Sequence, residues 1–196
     1  MKDFKIRVLF ITEAAITDFV KCDLDILKKQ FDLKVIKWAG SRNPLALLRM
    51  ISGVLWADAT FSWFAGYHAY WAVRLSKLFK KKSIVIVGGY EVARVPEIRY
   101  GALLYSDFAR IVRYVLKNAD KVLTVDEGLK KDAIENVGVV GDNILTVPTG
   151  YDSQLFKPAG EKEKLVMTVS FGNSWNRARL KGLDTFVKSA KYLYQI

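Results

Sequence analysis

Three segments of the sequence combine side chains and backbone features that can bind or polarise a ligand. Thr12-Glu13 directly follows one short apolar run, and Gly88-Gly89-Tyr90-Glu91 directly follows another. The third segment, residues 172–182, is basic and precedes a stretch of helical periodicity. In an open parallel sheet, the residues that follow the strands meet at one edge, where such sheets bind ligands. The three segments are therefore the candidate sites of this chain.

The Gly88-Gly89 pair lets the backbone turn sharply and approach a ligand closely. The same pair is equally typical of a tight turn that binds nothing. Glu91 can orient hydroxyl groups or act as an acid or base. An isolated surface carboxylate is the commoner role of such a residue, and both interpretations stay open at this point.

The basic segment carries three cations, Arg177, Arg179 and Lys181, followed by Gly182. Arg presents a fork of donors to phosphate oxygens, and Lys presents a compact charge. The N-terminus of a following helix would add backbone N–H groups and the positive end of the helix dipole. The pattern suits a diphosphate, although a solvated basic loop has the same composition.

Other chemistries are disfavoured by what the sequence contains. No Gly-x-Gly-x-x-Gly follows the first apolar run and no Walker A loop occurs, which disfavours dinucleotide-dependent dehydrogenases and nucleoside triphosphatases. One Cys, Cys22, and one His, His68, exclude multi-Cys and multi-His metal centres. Asp23-Leu24-Asp25 falls within a predicted helix, where residues two apart do not face each other. We expect no metal site, and we expect His68 to be a helix surface or packing residue.

Short apolar runs alternate with segments of helical periodicity along most of the chain. The predicted strands are residues 6–11, 33–38, 59–64, 83–87, 121–125, 144–147 and 165–171. The first predicted helix is capped by Thr17 and reaches residue 27, and the second begins at Asn43-Pro44 and ends near Gly53. The other predicted helices are residues 67–79, 104–118, 127–136 and 183 onward. This alternation predicts an α/β fold with a doubly wound, parallel, Rossmann-like sheet.

The composition changes after residue 147. Residues 148–164 hold two Pro, two Gly and many charged residues, which is typical of a linker. The strand and helix predicted beyond it are too few to bury a core of their own. The sequence therefore predicts a complete domain over 1–147, a linker over 148–164 and the first βα unit of an incomplete second domain over 165–196.

The charge balance indicates the class of partner. Lys and Arg number 31 against 20 Asp and Glu, a formal charge of +11. Such an excess favours a phosphate-bearing partner, which is a nucleotide, a nucleic acid or an anionic lipid. Nucleic-acid binding requires exposed aromatic residues among the basic ones. Because most aromatic residues here fit core or helix faces, no nucleic acid is expected.

The predicted location is the cytoplasm. The single Cys and the short first apolar run, without a cleavage pattern, are unlike a secreted protein. Residues 50–73 are too often interrupted by polar residues and Gly to favour a membrane span. The helices over 67–79 and 104–118 each combine an apolar stripe with a basic one, which suits either core-facing helices with a solvated back or an anionic membrane surface.

Two late segments resemble family 4 glycosyltransferases of the GT-B fold. Residues 119–158 are similar to the family's "A-D-x-V" strand, followed by a helix and "P-N-G-V-D-x-x-x-F-x-P". Thr149 stands here for the Asn and Tyr151 for the Val. Residues 181–190, Lys-Gly-Leu-Asp-Thr-Phe-Val-Lys-Ser-Ala, are similar to "K-G-x-D-x-L-I-x-A". Together the two motifs identify the chain as a relative of this family, with a weaker resemblance in its early part.

The resemblance implies two Rossmann-like domains, the N-terminal one binding an acceptor and the C-terminal one a nucleotide-diphosphate sugar. Residues 89–92 are similar to the acceptor-side "H-G-x-D-V" segment, with Gly88 at the position of the His. By this resemblance the acceptor-binding residues are Glu13, Gly88, Gly89, Tyr90 and Glu91. Because the His is missing, no residue is assigned as catalytic.

On the donor side, the resemblance implies metal-independent transfer with retention at the anomeric carbon. Lys181, beside Gly182, would stabilise charge on the leaving diphosphate together with either Arg177 or Arg179. The nucleotide sugar would be a substrate, and no cofactor is expected. The family's Glu-x-x-x-x-x-x-x-Glu motif would lie beyond Ile196, so residues 1–196 alone are expected to be inactive.

The expected function is therefore the acceptor-binding portion of a retaining glycosyltransferase, with a nucleotide sugar as donor and a lipid or saccharide as acceptor. Two alternatives stay open. One is a non-catalytic module that binds a membrane surface through the basic helices. The other is a nucleotide-sugar epimerase of the same architecture.

Overall fold

Six parallel strands form the centre of the described structure, a computed structural model that covers residues 5–13, 16–38, 40, 43–170 and 174–193. The strands are β1 (Arg7–Thr12), β2 (Asp32–Lys37), β3 (Ala59–Trp63), β4 (Lys82–Val87), β5 (Lys121–Thr124) and β6 (Ile144–Thr146). They pair in the order β2-β1-β3-β4-β5-β6, and every pairing is parallel. The predicted fold class is confirmed, and each of these strands lies within about one residue of its predicted bounds.

Helices connect successive strands. They are α1 (Asp18–Gln30), α2 (Pro44–Trp56), α3 (Tyr67–Leu78), α4 (Ser106–Asn118) and α5 (Glu127–Val137). After β6 follow α6 (Trp175–Leu180) and α7 (Leu183–Leu193). Asn43 caps α2 as predicted, accepting a hydrogen bond from the Leu45 N–H at 3.0 Å. α2 continues three residues beyond the predicted end at Gly53. A Cβ at Gly53 would lie 2.9 Å from the Leu9 methyl groups, so this glycine permits close helix–sheet packing instead of ending the helix.

The chain winds in both directions from β1. Because β2 lies on one side of β1 and β3 on the other, the direction of winding reverses between β1 and β3. Phe10 packs with residues of α1, whereas its neighbours Leu9 and Ile11 pack with residues of α2 and α3. Successive side chains of a strand point to opposite faces, so α1 covers one face and α2 and α3 cover the other. The core therefore lies on both faces of the sheet.

The chain divides into two compact units. The first is Met1–Arg94 with Gly101–Thr149, and it contains the whole sheet. The second is Val95–Tyr100 with Gly150–Ile196, and it contains α6 and α7. In the second unit, α7 begins at the predicted residue, but the described residues 165–170 form no strand, in contrast to the prediction. These residues are mostly exposed and have no neighbouring strand to pair with, which a strand requires.

Candidate functional site

The candidate site lies at the carboxyl edge of the sheet, next to the point where the winding reverses. Glu13 follows β1, the turn Phe64-Ala65-Gly66 follows β3, and residues 88–91 follow β4. β3 pairs with both β1 and β4, so its turn lies between the other two segments. The reversal point of an open α/β sheet is where such sheets bind ligands.

Glu91 is buried, with only 3% of its surface exposed, so the expectation of an isolated surface carboxylate is wrong. Its Oε1 accepts hydrogen bonds from the Ala65 N–H at 3.1 Å and from the Gly88 N–H at 3.2 Å. Its Oε2 is buried and has no hydrogen-bond partner. Burial raises the pKa of the Glu91 carboxyl above its ordinary value. Glu91 therefore ties the turn after β3 to the turn after β4.

His68, the second residue of α3, is also buried, with 1% of its surface exposed. Its Nε2 lies 2.6 Å from the Trp63 carbonyl oxygen, so Nε2 carries the proton and donates it. Its Nδ1 lies 3.7 Å from Glu13 Oε1. Burial lowers the pKa of the imidazole, which favours the neutral ring. The expectation of a packing residue is confirmed, and the structure adds its contact with Glu13.

The turn after β3 has an uncommon backbone conformation. Phe64 has a φ of +68°, in the left-handed region that a bulky residue rarely adopts. Its ring lies against the backbone of Gly88, because a Cβ on Gly88 would be 2.4 Å from Phe64 Cε1. Gly88 is therefore required by packing against Phe64. The neighbouring Gly89, with a φ of +120°, provides the sharp turn expected of the pair.

Aromatic rings adjoin this turn. The ring centroids of Phe19 and Trp63 are 5.0 Å apart, and those of Trp63 and Phe64 are 5.6 Å apart. Trp63 donates its indole N–H to Asp23 Oδ2 at 3.0 Å, and burial raises the pKa of Asp23. Asp25 lies 3.6 Å from Lys28 instead. The two aspartates of the Asp-Leu-Asp segment therefore have separate partners, as expected for residues two apart on a helix.

We call Glu13, His68 and residues 88–91 the carboxyl-edge site. The structure brings Glu13 and Glu91 to the same turn after β3, the strand that lies between β1 and β4. Glu13 and Tyr90 have exposed side chains, whereas Glu91 and His68 are buried behind them. Carboxylate, phenol and backbone groups at an open edge can orient the hydroxyls of a ligand. No pattern in the sequence indicated the contact of His68 with Glu13, because the position of a residue at a helix start does not show which residue its side chain faces.

The basic segment of the second unit is largely helical. Ser174 caps α6, accepting a hydrogen bond from the Arg177 N–H at 3.3 Å. Arg177, Arg179 and Lys181 are exposed, and Gly182, with a φ of +69°, joins α6 to α7. Residues 172 and 173 lie outside the described residues. At about 100° per residue, Arg177 and Arg179 point to opposite sides of α6, whereas Arg177 and Lys181 share one side.

The two helices considered for a membrane surface pack on each other. The rings of Tyr67 and Phe108 have centroids 5.6 Å apart, and those of Tyr70 and Tyr114 are 4.8 Å apart. Leu75 of α3 and Val115 of α4 are buried in the core. Much of both apolar stripes is therefore used inside the fold. In the described part of the chain, no helix has the length and hydropathy needed to cross a bilayer.

Metal-ligating residues are scattered in the described structure. No group of three or more His, Cys, Asp or Glu side chains among the described residues is arranged to hold a metal ion. Glu13 and His68 lie close together but supply only two potential metal ligands. The Oε1 of Glu91 already accepts hydrogen bonds from two backbone N–H groups.

No protein-family model and no curated protein sequence matches the chain. Several solved structures have a similar fold. The Anabaena protein Alr3699/HepE in complex with UDP is similar over 79% of this chain and 47% of its own, with a TM-score of 0.58 and 12% identity. A glycosyltransferase from Rickettsia africae ESF-5 is similar over 81% of this chain and 47% of its own, with a TM-score of 0.54 and 16% identity.

An enzyme of another class has a similar fold. UDP-N-acetylglucosamine 2-epimerase from Rickettsia bellii matches 74% of this chain and 45% of its own, with a TM-score of 0.53 and 10% identity. The chain therefore spans about half the length of each of these proteins. At such low identities the likeness establishes the Rossmann-like α/β fold, and function has to be argued from the site.

Proposed function

We propose that this chain is the acceptor-binding portion of a retaining glycosyltransferase that takes its sugar from a nucleotide-diphosphate sugar. The observation that carries the proposal is the carboxyl-edge site at the reversal point of the sheet. It is supported by a fold shared with a solved glycosyltransferase and by the two family 4 motifs at residues 119–158 and 181–190. The proposed acceptor is a lipid or a saccharide, and the proposed compartment is the cytoplasm.

On the acceptor side, the exposed groups would contact the substrate and the buried ones would position them. Glu13 and Tyr90 would hydrogen-bond acceptor hydroxyls, next to the Gly88-Gly89 backbone. Glu91 would act as a positioning residue, because its Oε1 holds the two turns together from below the surface. His68 would hold the end of β3 in place through its hydrogen bond to the Trp63 carbonyl. The proton that the acceptor hydroxyl loses would pass to an oxygen of the leaving diphosphate.

On the donor side, Arg177, Lys181 and Gly182 are the proposed diphosphate-binding residues. The side of α6 that Arg177 shares with Lys181 lets both cations reach one diphosphate, whereas Arg179 points away from them. Fixed cations at the leaving group stabilise the negative charge that develops there in the transition state. This geometry favours Arg177 over Arg179 as the partner of Lys181.

A nucleotide-sugar epimerase is the second candidate, because one of the similar structures is a UDP-N-acetylglucosamine 2-epimerase. Epimerisation returns the sugar nucleotide or free sugar without transfer to a second molecule. An epimerase would need no acceptor, so dependence on an acceptor separates the two candidates.

The test uses the complete protein that contains these residues, incubated with labelled UDP- and GDP-sugars and with lipid or saccharide acceptors. We expect label transfer that depends on the acceptor. Lys181→Ala and Arg177→Ala should lower kcat about a hundredfold, the order seen when one preorganised charge-stabilising donor is removed. Arg179→Ala is the matched control and should lower it only a fewfold. We expect residues 1–196 alone to be inactive.

Two results would contradict the proposal, and a third would change the assignment of one residue. Product analysis showing a changed sugar configuration without acceptor would favour the epimerase. Full turnover by residues 1–196 alone would exclude a merely acceptor-binding role. A larger loss in Arg179→Ala than in Arg177→Ala would overturn the assignment of the arginine but leave the transferase in place.

A further inference from the structure

α2 is apolar on the side that faces the core and also on the side that does not. Its buried residues are Ala46, Met50, Gly53 and Val54. Its outer side carries Leu45, Leu48 and Leu55, which are 62%, 61% and 51% exposed. A helix that is apolar all round is normally covered on all sides. The outer side of α2 therefore needs a partner.

The exposed leucines form a continuous stripe. Residues 45, 48, 52 and 55 follow one another at intervals of three or four, so they lie in one line along the helix. From Leu45 to Leu55 this line is about 15 Å long at 1.5 Å per residue. Ser52 is its one polar member, and Arg49 is the one charged residue of the whole helix.

A groove of about 480 Å³ runs between this stripe and the edge strand β2. Leu45, Leu48 and Val35 line it, together with two cations, Lys34 and Arg49. The Nζ of Lys34 lies 4.0 Å from the centroid of the Trp56 ring, which holds this cation beside the helix. Among the described residues, no acidic side chain lines the groove.

We propose that this surface, which we call the α2–β2 face (Lys34, Leu45, Leu48, Arg49 and Leu55), docks the protein on an anionic lipid bilayer. The leucines would enter the boundary between headgroups and acyl chains, and the two cations would contact lipid phosphates. Apolar side chains flanked by Lys or Arg are the combination that binds membrane interfaces. Each basic residue near an anionic surface adds about 1 kcal/mol of attraction. The proposal does not depend on the transferase activity.

Charge argues against a second copy of this chain as the occupant. A two-fold symmetric contact would bring the same surface of both copies together, so Lys34 and Arg49 of each copy would be enclosed in one interface. No acidic side chain among the described lining residues would offset these four positive charges. An anionic bilayer instead matches both the apolar and the positive part of the face.

The basic sides of α3 and α4 fit this role less well. Several of their cations already have partners in the fold: Arg110 lies 2.6 Å from Asp107, and Lys77 donates to Asn118 at 2.7 Å. Their apolar stripes are largely packed against each other and the core. The membrane surface considered for these helices is therefore proposed for α2 and β2 instead.

The test is co-sedimentation of the full chain with vesicles of phosphatidylcholine alone or of equimolar phosphatidylcholine and phosphatidylglycerol. We expect binding only to the anionic vesicles. Leu45→Ser combined with Leu48→Ser should weaken it about tenfold or more, since two exposed leucines lose their apolar transfer. Lys34→Gln combined with Arg49→Gln should weaken it by a similar factor. All four side chains lie outside the core, and circular dichroism would check that the fold is retained.

Two matched controls locate the surface. Leu78→Ser with Val140→Ser removes equally exposed apolar groups elsewhere, and Arg110→Gln with Lys117→Gln removes two cations of α4. Both should change binding less than about twofold. An equal loss in a control, no binding to anionic vesicles, or unchanged binding after both α2–β2 changes would overturn the proposal. So would a dimer in light scattering that only the leucine variant abolishes while lipid binding persists.

Discussion

At the scale of single residues, Glu91 and His68 show how burial sets the role of a titratable group. Both belong to turns or helix starts that border an open edge of the sheet, yet both are almost fully buried. Glu91 accepts two backbone N–H groups, and His68 donates to a backbone carbonyl. They hold the local backbone in place, while Glu13 and Tyr90 remain exposed to a ligand.

Glu91→Gln is predicted to change how stability depends on pH. The pKa of Glu91 is higher in the folded than in the unfolded protein, so folding favours the protonated carboxyl. The stability that this group contributes is present below its unfolded pKa and is lost as pH rises through the folded one. Gln cannot ionise, so the variant should gain stability relative to the wild type as pH rises from about 4.5 toward neutrality. Urea unfolding at a series of pH values measures the difference.

Glu161→Gln is the control for that series, because Glu161 is exposed. Its unfolding free energy should follow the wild type at every pH. The amide group of Glu91→Gln is expected to change the free energy of unfolding by the same amount at every pH. Only a difference from the wild type that varies with pH tests whether burial raises the pKa of Glu91. If the free energies of unfolding of the wild type and Glu91→Gln change with pH in parallel, burial does not disfavour the ionised form of the Glu91 carboxyl.

At the scale of secondary-structure elements, the start of α2 was predictable because the Asn43 side chain acts on its own backbone. Asn43 and Asp126 both cap the helices that follow them, with hydrogen bonds of 3.0 and 2.8 Å. Gly138, in the left-handed conformation, ends α5. Gly53 misled the prediction of the end of α2, because its lack of a side chain serves contact with Leu9 on a strand distant in sequence.

Asn43→Ala is predicted to destabilise the protein by about 1 kcal/mol, the usual effect of losing an N-cap side chain. Thr17→Ala is the matched control. Thr17 is the N-cap of α1, but its side chain makes no capping hydrogen bond. Its replacement should therefore have a clearly smaller effect. Chemical denaturation of the two variants measures both, and an equal loss in the two would show that the Asn43 bond contributes nothing.

At the scale of the whole molecule, the two units differ in how their chain is protected. The first contains all six strands and the hydrophobic clusters on both faces of the sheet. Residues 147–169, which include the segment predicted as a linker, are exposed throughout and form no helix or strand. Protease access follows such exposure and lack of structure.

Limited trypsin digestion is therefore predicted to cleave first at Lys162 or Lys164, leaving the sheet intact. Lys80-Lys81-Lys82 is the internal control, since it is as rich in lysine but leads into β4. The Lys81 N–H is bonded to the Ser76 carbonyl at 2.8 Å. Mass spectrometry of the early fragments shows which lysine sites are cleaved first. Earlier cleavage at residues 80–82 would contradict the assignment of a protected first unit.

The sequence by itself determined the succession of strands and helices, and with it the parallel α/β sheet. These depend on local periodicity and on capping residues, which act over a few positions. It also identified Glu13 and residues 88–91, because residues after parallel strands must reach the same edge. It failed for residues 165–170, where an apolar run alone cannot supply the neighbouring strand that a sheet requires.

Only the tertiary structure decided which of those residues are buried and which surface stays open. The contact of His68 with Glu13, the two bonds of Glu91 and the fit of Phe64 against Gly88 join turns far apart in the chain. The apolar outer side of α2 became visible only once its other side was seen to fill the core. Burial and exposure depend on the packing of distant segments, and no local pattern of residue types encodes that packing.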